Sequence, residues 1–101
     1  MAFKNQEIKA DAGKERLSLV PPEAIRAVAR IREYGVNKYK TKDGWQDVET
    51  ERYHDAAFRH MLKYIEDPSS CDEESGLPHL WHLACNIFFL CELEKDLFKE
   101  K

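Results

Sequence analysis

The sequence predicts an all-α fold: a small bundle of three long helices behind an N-terminal polar arm. Three observations predict it. Apolar residues recur at helical spacing over 22–39 and 48–66. The segment 78–99 carries the run "LACNIFFLCEL", apolar nearly all round, as in the most buried helix of a bundle. No segment sustains the period-two alternation of a half-buried strand. At 101 residues the chain reads as one domain. A chain this short has a small core, so completion by oligomerisation is expected.

The arm, residues 1–20, is rich in charge, and Gly13 interrupts any long amphipathic helix there. The first helix opens at Pro22, which suits the first helical position because a missing N–H costs nothing there. Ile25, Val28, Ala29, Val36 and Tyr39 mark its expected buried face, with Arg26, Arg30 and Glu33 mainly elsewhere. Gly35 lies on that face and suits a close helix crossing. Asp43-Gly44 signals a turn, and the second helix follows to Glu66, with Tyr53, Ala57, Met61 and Tyr64 as its stripe and His60 beside it. Asp67-Pro68 stops it. An acidic loop leads to the third helix near Pro78.

Charge is divided unevenly. Residues 1–40 hold nine basic and five acidic side chains, whereas residues 41–101 hold seven and fourteen. The basic part suits phosphates and the acidic part divalent cations; equally, both are solvated helix faces. The acidic balance and the lack of a basic stripe exclude duplex nucleic acid as the expected ligand. Cys71, Cys85 and Cys91 form no Cys-x-x-Cys pair and read as buried free thiols in a reducing cytoplasm. There is no apolar signal core and no run long enough for a membrane span, so a cytoplasmic location is expected.

The candidate chemistry gathers in "ESGLPHLWHLACN", residues 74–86. His79 and His82 are three apart and Asn86 lies four further on, so all three share one helical stripe. Such a stripe can hold a metal or a phosphate. It can also be two first-turn histidines satisfied by carbonyls or water. Asp72, Glu73 and Glu74 precede this helix, where its dipole stabilises carboxylates; Asp72 and Glu74 can alternatively bind a cation through oxygen. Arg59 and His60 on the second helix can face the same space. The arm offers Lys9, Asp11, Lys14 and Arg16 around a glycine, a composition that suits phosphate oxygens without the spacing of a P-loop. Lys38, Tyr39 and Trp45 place aromatics beside lysines; they can stack a base or close the helix ends over the core. Nothing supports a nucleophilic triad, and zinc-finger spacing is absent.

Taken in order, "KADAGKERLSLVPPEAI", "REYGVNKY", "ERYHDAAFRHMLKYIE" and "DEESGLPHLWHLACNIFFL" resemble the N-terminal domain of the phage-type dATP/dGTP diphosphohydrolases. The likeness covers about residues 8–94. It implies an all-α protein related in style to MazG-like nucleotide pyrophosphohydrolases, which cleave between the α- and β-phosphates with Mg²⁺ or Mn²⁺ and work as dimers or tetramers. For such an activity, read from the residues here, Asp72 or Glu74 is expected to hold the metal with help from His79 or His82, the four being the candidate catalytic residues and Asp72, Glu74 and His79 the candidate ligands. Lys9, Lys14, Arg16 and Arg59 are expected to clamp phosphates. Asp11, Lys38, Tyr39, Trp45, His60 and Asn86 complete the expected substrate site. The MazG carboxylate box is not present as such: the second helix offers Glu51-x-x-x-Asp55 and the third His79-x-x-His82. Three functions therefore stand open. One is a metal-dependent hydrolase of purine deoxynucleoside triphosphates. The second is a non-catalytic phage or prophage protein that sequesters a nucleotide or a nucleotide-derived immune signal. The third is a helical protein that binds another protein.

Overall fold

The computed structural model describes residues 9–99. Its regular elements are three α-helices, α1 (Pro22–Tyr39), α2 (Thr50–Glu66) and α3 (His79–Leu93), with short 3-10 turns at Leu17–Leu19, Gly44–Asp47 and Lys95–Phe98. Among the described residues there is no strand, only one isolated antiparallel bridge between Cys71 and Pro78. The all-α expectation holds. Helix α3 packs against both α1 and α2, and most extensively against α2.

Each helix end has a local cause. Pro22 starts α1, Glu23 lies in its first turn and Lys38 in its last, both favourable to the helix dipole. The helix ends at Lys40, which takes the left-handed conformation (φ 59°) and donates its N–H to Val36 O at 2.9 Å. In the turn that follows, the Gly44 amide donates to Thr41 Oγ1 at 3.1 Å. A Cβ on Gly44 would lie 2.7 Å from Thr41 Cγ2, so this turn requires glycine.

Two helix limits differ from expectation. Helix α2 begins at Thr50 rather than Val48, because Val48 is extended and its N–H closes the preceding turn onto Trp45 O. Helix α3 ends at Leu93 rather than near Lys99. Glu92 and Glu94 crowd that end with negative charge, which opposes the dipole, and a separate 3-10 turn follows.

Among the described residues the buried core is small: Val28 and Ile31 from α1 and Cys85 from α3, with Leu77, Trp81, Ala84 and Phe89 packed around them. The buried strip of α1 is narrower than its periodicity suggests. Ile25 is 47% and Tyr39 66% exposed, since α1 is covered chiefly by α3 alone. Gly35 serves no close crossing; a Cβ there would meet only an Arg32 side-chain nitrogen at 3.9 Å. Two of the three cysteines, Cys71 and Cys91, are exposed rather than buried. Phe58, Leu62 and Ile65 form an exposed apolar ridge on α2.

Candidate metal centre

The loop between α2 and α3 is tightly tied, and that tie builds the site. Asp72 N donates to Leu77 O at 2.8 Å, Gly76 N to Asp72 O at 2.8 Å and His79 N to Ser70 O at 3.1 Å. Gly76 permits the reversal with φ of 74°. Within the turn, Asp72 Oδ2 accepts the amides of Glu74 and Ser75 at 3.0 and 2.9 Å. The other Asp72 oxygen has no hydrogen-bond partner among the described residues.

This loop sets Asp72 beside His79, the first residue of α3, and His60 from the α2 surface facing it. Ligand atoms of His60, Asp72 and His79 all lie within 4.8 Å of one another. The two Nδ1 atoms of His60 and His79 are 2.8 Å apart, so one imidazole donates to the other. Two nitrogens on one ion at about 2.0–2.1 Å each come close to this separation when they bind side by side.

Behind the trio stands a support. The His82 ring lies flat against His60, 4.6 Å between centroids and 10° between planes. Tyr34 meets His82 edge-on at 6.1 Å. His82 Nε2 is 2.7 Å from Ser75 Oγ, which also accepts the Leu77 amide at 3.1 Å. Asn86, nearly fully buried, donates to His82 O at 3.0 Å within its own helix.

The electrostatics follow from this packing. Burial pushes the His60 imidazole down to about 4, and the rings of His82 and His79 add to the effect against the pull of Asp72. Burial also lowers His82, again opposed by Asp72. Burial pushes the Asp72 carboxyl up, but the Ser75 amide, His82, the Glu74 amide and His60 outweigh it and hold it below the ordinary carboxylate value. At neutral pH the centre is therefore two uncharged imidazole rings, His60 and His82, beside a carboxylate. Alongside runs an open groove of about 460 Å³, lined by Lys63, Ser70, Cys71, Asp72, Glu73, Glu74 and His79. Lys63 is its one cationic side chain.

The expected site residues separate into groups. Asp72, His79 and His60 come together, and His82 joins them as the ring behind His60. Glu74, whose amide closes the Asx-type turn of Asp72, lies outside the cluster and pairs with Lys38 Nζ at 2.8 Å; its hydrogen bond holds the Lys38 ammonium well above the usual lysine value. The cluster of possible ligand atoms thus holds His60 with Asp72 and His79, and does not include Glu74. Tyr39 is exposed, with Lys38 Nζ 5.0 Å from its ring centre. Trp45 is stacked on Phe89 at 4.3 Å, with the Arg32 guanidinium over both rings, and lines a different cavity beside Val28. In this arrangement Trp45 packs on α3 through Phe89. Asn86 serves its own helix. Lys9, Asp11, Lys14, Arg16 and Arg59 are exposed, and their side chains make no hydrogen bond to the cluster among the described residues. Ser75, Tyr34 and Lys63 were not expected. Ser75 stands in the quoted "ESG" stretch, and Lys63 follows His60 by one helical step of three.

The donor set of two imidazoles and one carboxylate fits a divalent metal, including Mn²⁺, one of the two ions the resemblance implies.

The family described as "dATP/dGTP diphosphohydrolase, N-terminal" matches residues 4–101. A protein of Salmonella phage PMBT28 named "dATP/dGTP diphosphohydrolase" is 40% identical over 83 residues, covering 82% of this chain and 28% of the relative. The chain thus spans a little over a quarter of that protein's length. No solved structure matches. Nearly the whole chain is covered by the family match, and the chain belongs to the dATP/dGTP diphosphohydrolase N-terminal family.

Proposed function

We propose that the chain is a metal-dependent hydrolase module acting on purine deoxynucleoside triphosphates, dATP or dGTP, to give the monophosphate and pyrophosphate. The observation that carries this reading is the His60–Asp72–His79 cluster beside an open groove, in a chain of this family. His60, Asp72 and His79 would hold the ion. When bound, it would neutralise phosphate charge and activate water. Lys63, at the groove wall, adds a cation for phosphate oxygens as charge develops. His82 holds the His60 ring in its plane, and Ser75 holds His82. Arg59 and the arm residues Lys9, Lys14 and Arg16 are further phosphate contacts that a bound nucleotide would have to draw in.

The rival reading, sequestration without cleavage, is favoured by one feature: the trio contains a single carboxylate, fewer than the acidic box of MazG-like enzymes. Incubation of the chain with dATP and dGTP and each of Mn²⁺ and Mg²⁺, with products separated chromatographically, decides between them. Monophosphate and pyrophosphate are expected. Intact nucleotide recovered from a tight complex would establish sequestration and end the hydrolase reading.

Two related proposals accompany it. The exposed ridge of Phe58, Leu62 and Ile65 supports a homo-oligomer, a dimer or tetramer, to be tested by light scattering on the purified chain. No helix among the described residues is long and apolar enough to cross a membrane, in keeping with action on the nucleotide pool of the host cytoplasm.

A further inference from the structure

We propose that the His60–Asp72–His79 centre selects an imidazole-accepting divalent transition ion, in the series Mn²⁺ to Zn²⁺, and discriminates against Mg²⁺. This deepens the hydrolase reading, on which it rests for the use to which the ion is put.

The argument starts from donor atoms. Mg²⁺ demands near-octahedral oxygen and gives up water reluctantly. Imidazole nitrogen suits the first-row transition ions, whose affinities for such sites rise from Mn²⁺ toward Cu²⁺ with Zn²⁺ below that peak. The cluster presents two imidazoles and one carboxylate within 4.8 Å. For Mg²⁺ to prefer it, neighbouring carboxylates would have to replace nitrogen; of the two others on the groove, Glu73 is exposed and outside the cluster, and Glu74 is committed elsewhere. Glu74 is paired with Lys38 at 2.8 Å. One oxygen of Asp72 is already taken by two backbone amides.

The nitrogen donors, by contrast, are held in place. His79 is fixed at the start of α3, its own N–H bonded to Ser70 O at 3.1 Å. His60 is held flat by His82 at 4.6 Å, and His82 is held by Ser75 at 2.7 Å. These links anchor the donors through the backbone and by ring stacking, a different support from the ring N–H hydrogen bond that usually orients a metal-binding imidazole. Three protein donors leave positions open toward the groove, as a site that must also take phosphate oxygens requires.

The test uses the purified chain stripped with chelator and then titrated with Co²⁺, whose visible absorption reports nitrogen coordination directly and needs no turnover. One Co²⁺ per chain is expected, displaced by Zn²⁺ and not by a large excess of Mg²⁺. His60→Ala and His79→Ala, checked for helicity by circular dichroism, are each expected to weaken uptake by at least about 10–100-fold, the loss that removal of even an outer-shell partner brings. Glu74→Gln is expected to leave uptake within about twofold, since Glu74 stands outside the proposed donor set. Displacement of Co²⁺ by equimolar Mg²⁺, or no Co²⁺ uptake by the wild-type chain, overturns the inference regardless of how the variants fold. Co²⁺ uptake without nucleotide cleavage supports the inference and removes the hydrolase reading. Cleavage driven by Mg²⁺ in a chain that takes up no Co²⁺ does the reverse.

Discussion

Acidification of the metal-free chain from about pH 7 to pH 5 will destabilise it, chiefly through His60. In the folded state burial and the neighbouring rings hold the His60 pKa at about 4, against an ordinary value of 6.5. Between those values the unfolded chain binds a proton that the folded chain refuses. The stabilisation is therefore fully present above about pH 6.5 and is lost progressively as the pH falls toward 4. At pH 5 the difference amounts to roughly 2 kcal/mol, at about 1.4 kcal/mol for each pKa unit. The ring is partly exposed, so solvent screening reduces this to about 1–2 kcal/mol. His82, lowered in the same direction, adds to the slope. Asp72 acts with the same sign but at lower pH. Its depressed carboxyl stabilises the fold above its ordinary 3.8 and loses that effect only in more acidic solution, outside this window. The assay is urea unfolding followed by circular dichroism in the presence of chelator. For a chain of this size the midpoint should fall by roughly 1 M between the two pH values. His60→Phe keeps a ring against His82 and removes the titrating group, so its midpoint should move by less than half as much. A wild-type midpoint that does not change, or an equal slope in His60→Phe, would refute the reasoning.

Replacing Trp45 by Ala removes the stack on Phe89 and the face beneath Arg32, and is expected to cost about 2–4 kcal/mol in urea unfolding while the folded fraction binds Co²⁺ as before. His82→Ala is expected to weaken Co²⁺ uptake by about 10–100-fold, with His82→Phe restoring most of it; equal loss in both would make His82 a ligand in its own right. Iodoacetamide should label Cys71 and Cys91 in the folded chain and spare Cys85, which is buried and whose thiol burial pushes up to about 11; mass spectrometry counts the adducts.

Helices α1 and α2 were legible in the sequence because each carries an apolar rhythm of period 3.6, and α3 because its apolar run is long and lacks period-two alternation. Their ends were less so. Val48 lies outside α2 because of one amide bond to Trp45 O, a turn detail that composition does not encode. The exposure of Cys91 was hidden for another reason. An apolar helix flanked by two others has an uncovered side, and periodicity does not say which side that is. In the site, Asp72 and His79 could be picked from the "DEESGLPH" stretch by residue type. The presence of His60 in the cluster, and the absence of Glu74, could not. Glu74 meets Lys38, 36 positions away, a contact that only the packing of α1 beside the loop creates. His60 reaches His79 only through the register of α2 on α3, a property of the packed pair.

The centre draws its donors from both arms of a helical hairpin, with His60 and His79 separated by 19 positions in sequence. An ion gripped there would act as a cross-link. Closing a loop of that length removes unfolded-state freedom worth about 3 kcal/mol in the chain-entropy account used for disulfides. In a protein whose buried apolar residues, among those described, are Val28, Ile31 and Cys85, that is comparable to the contribution of a large core side chain. Metal supply would then govern how long the polypeptide survives proteolysis as well as whether it can turn over a nucleotide.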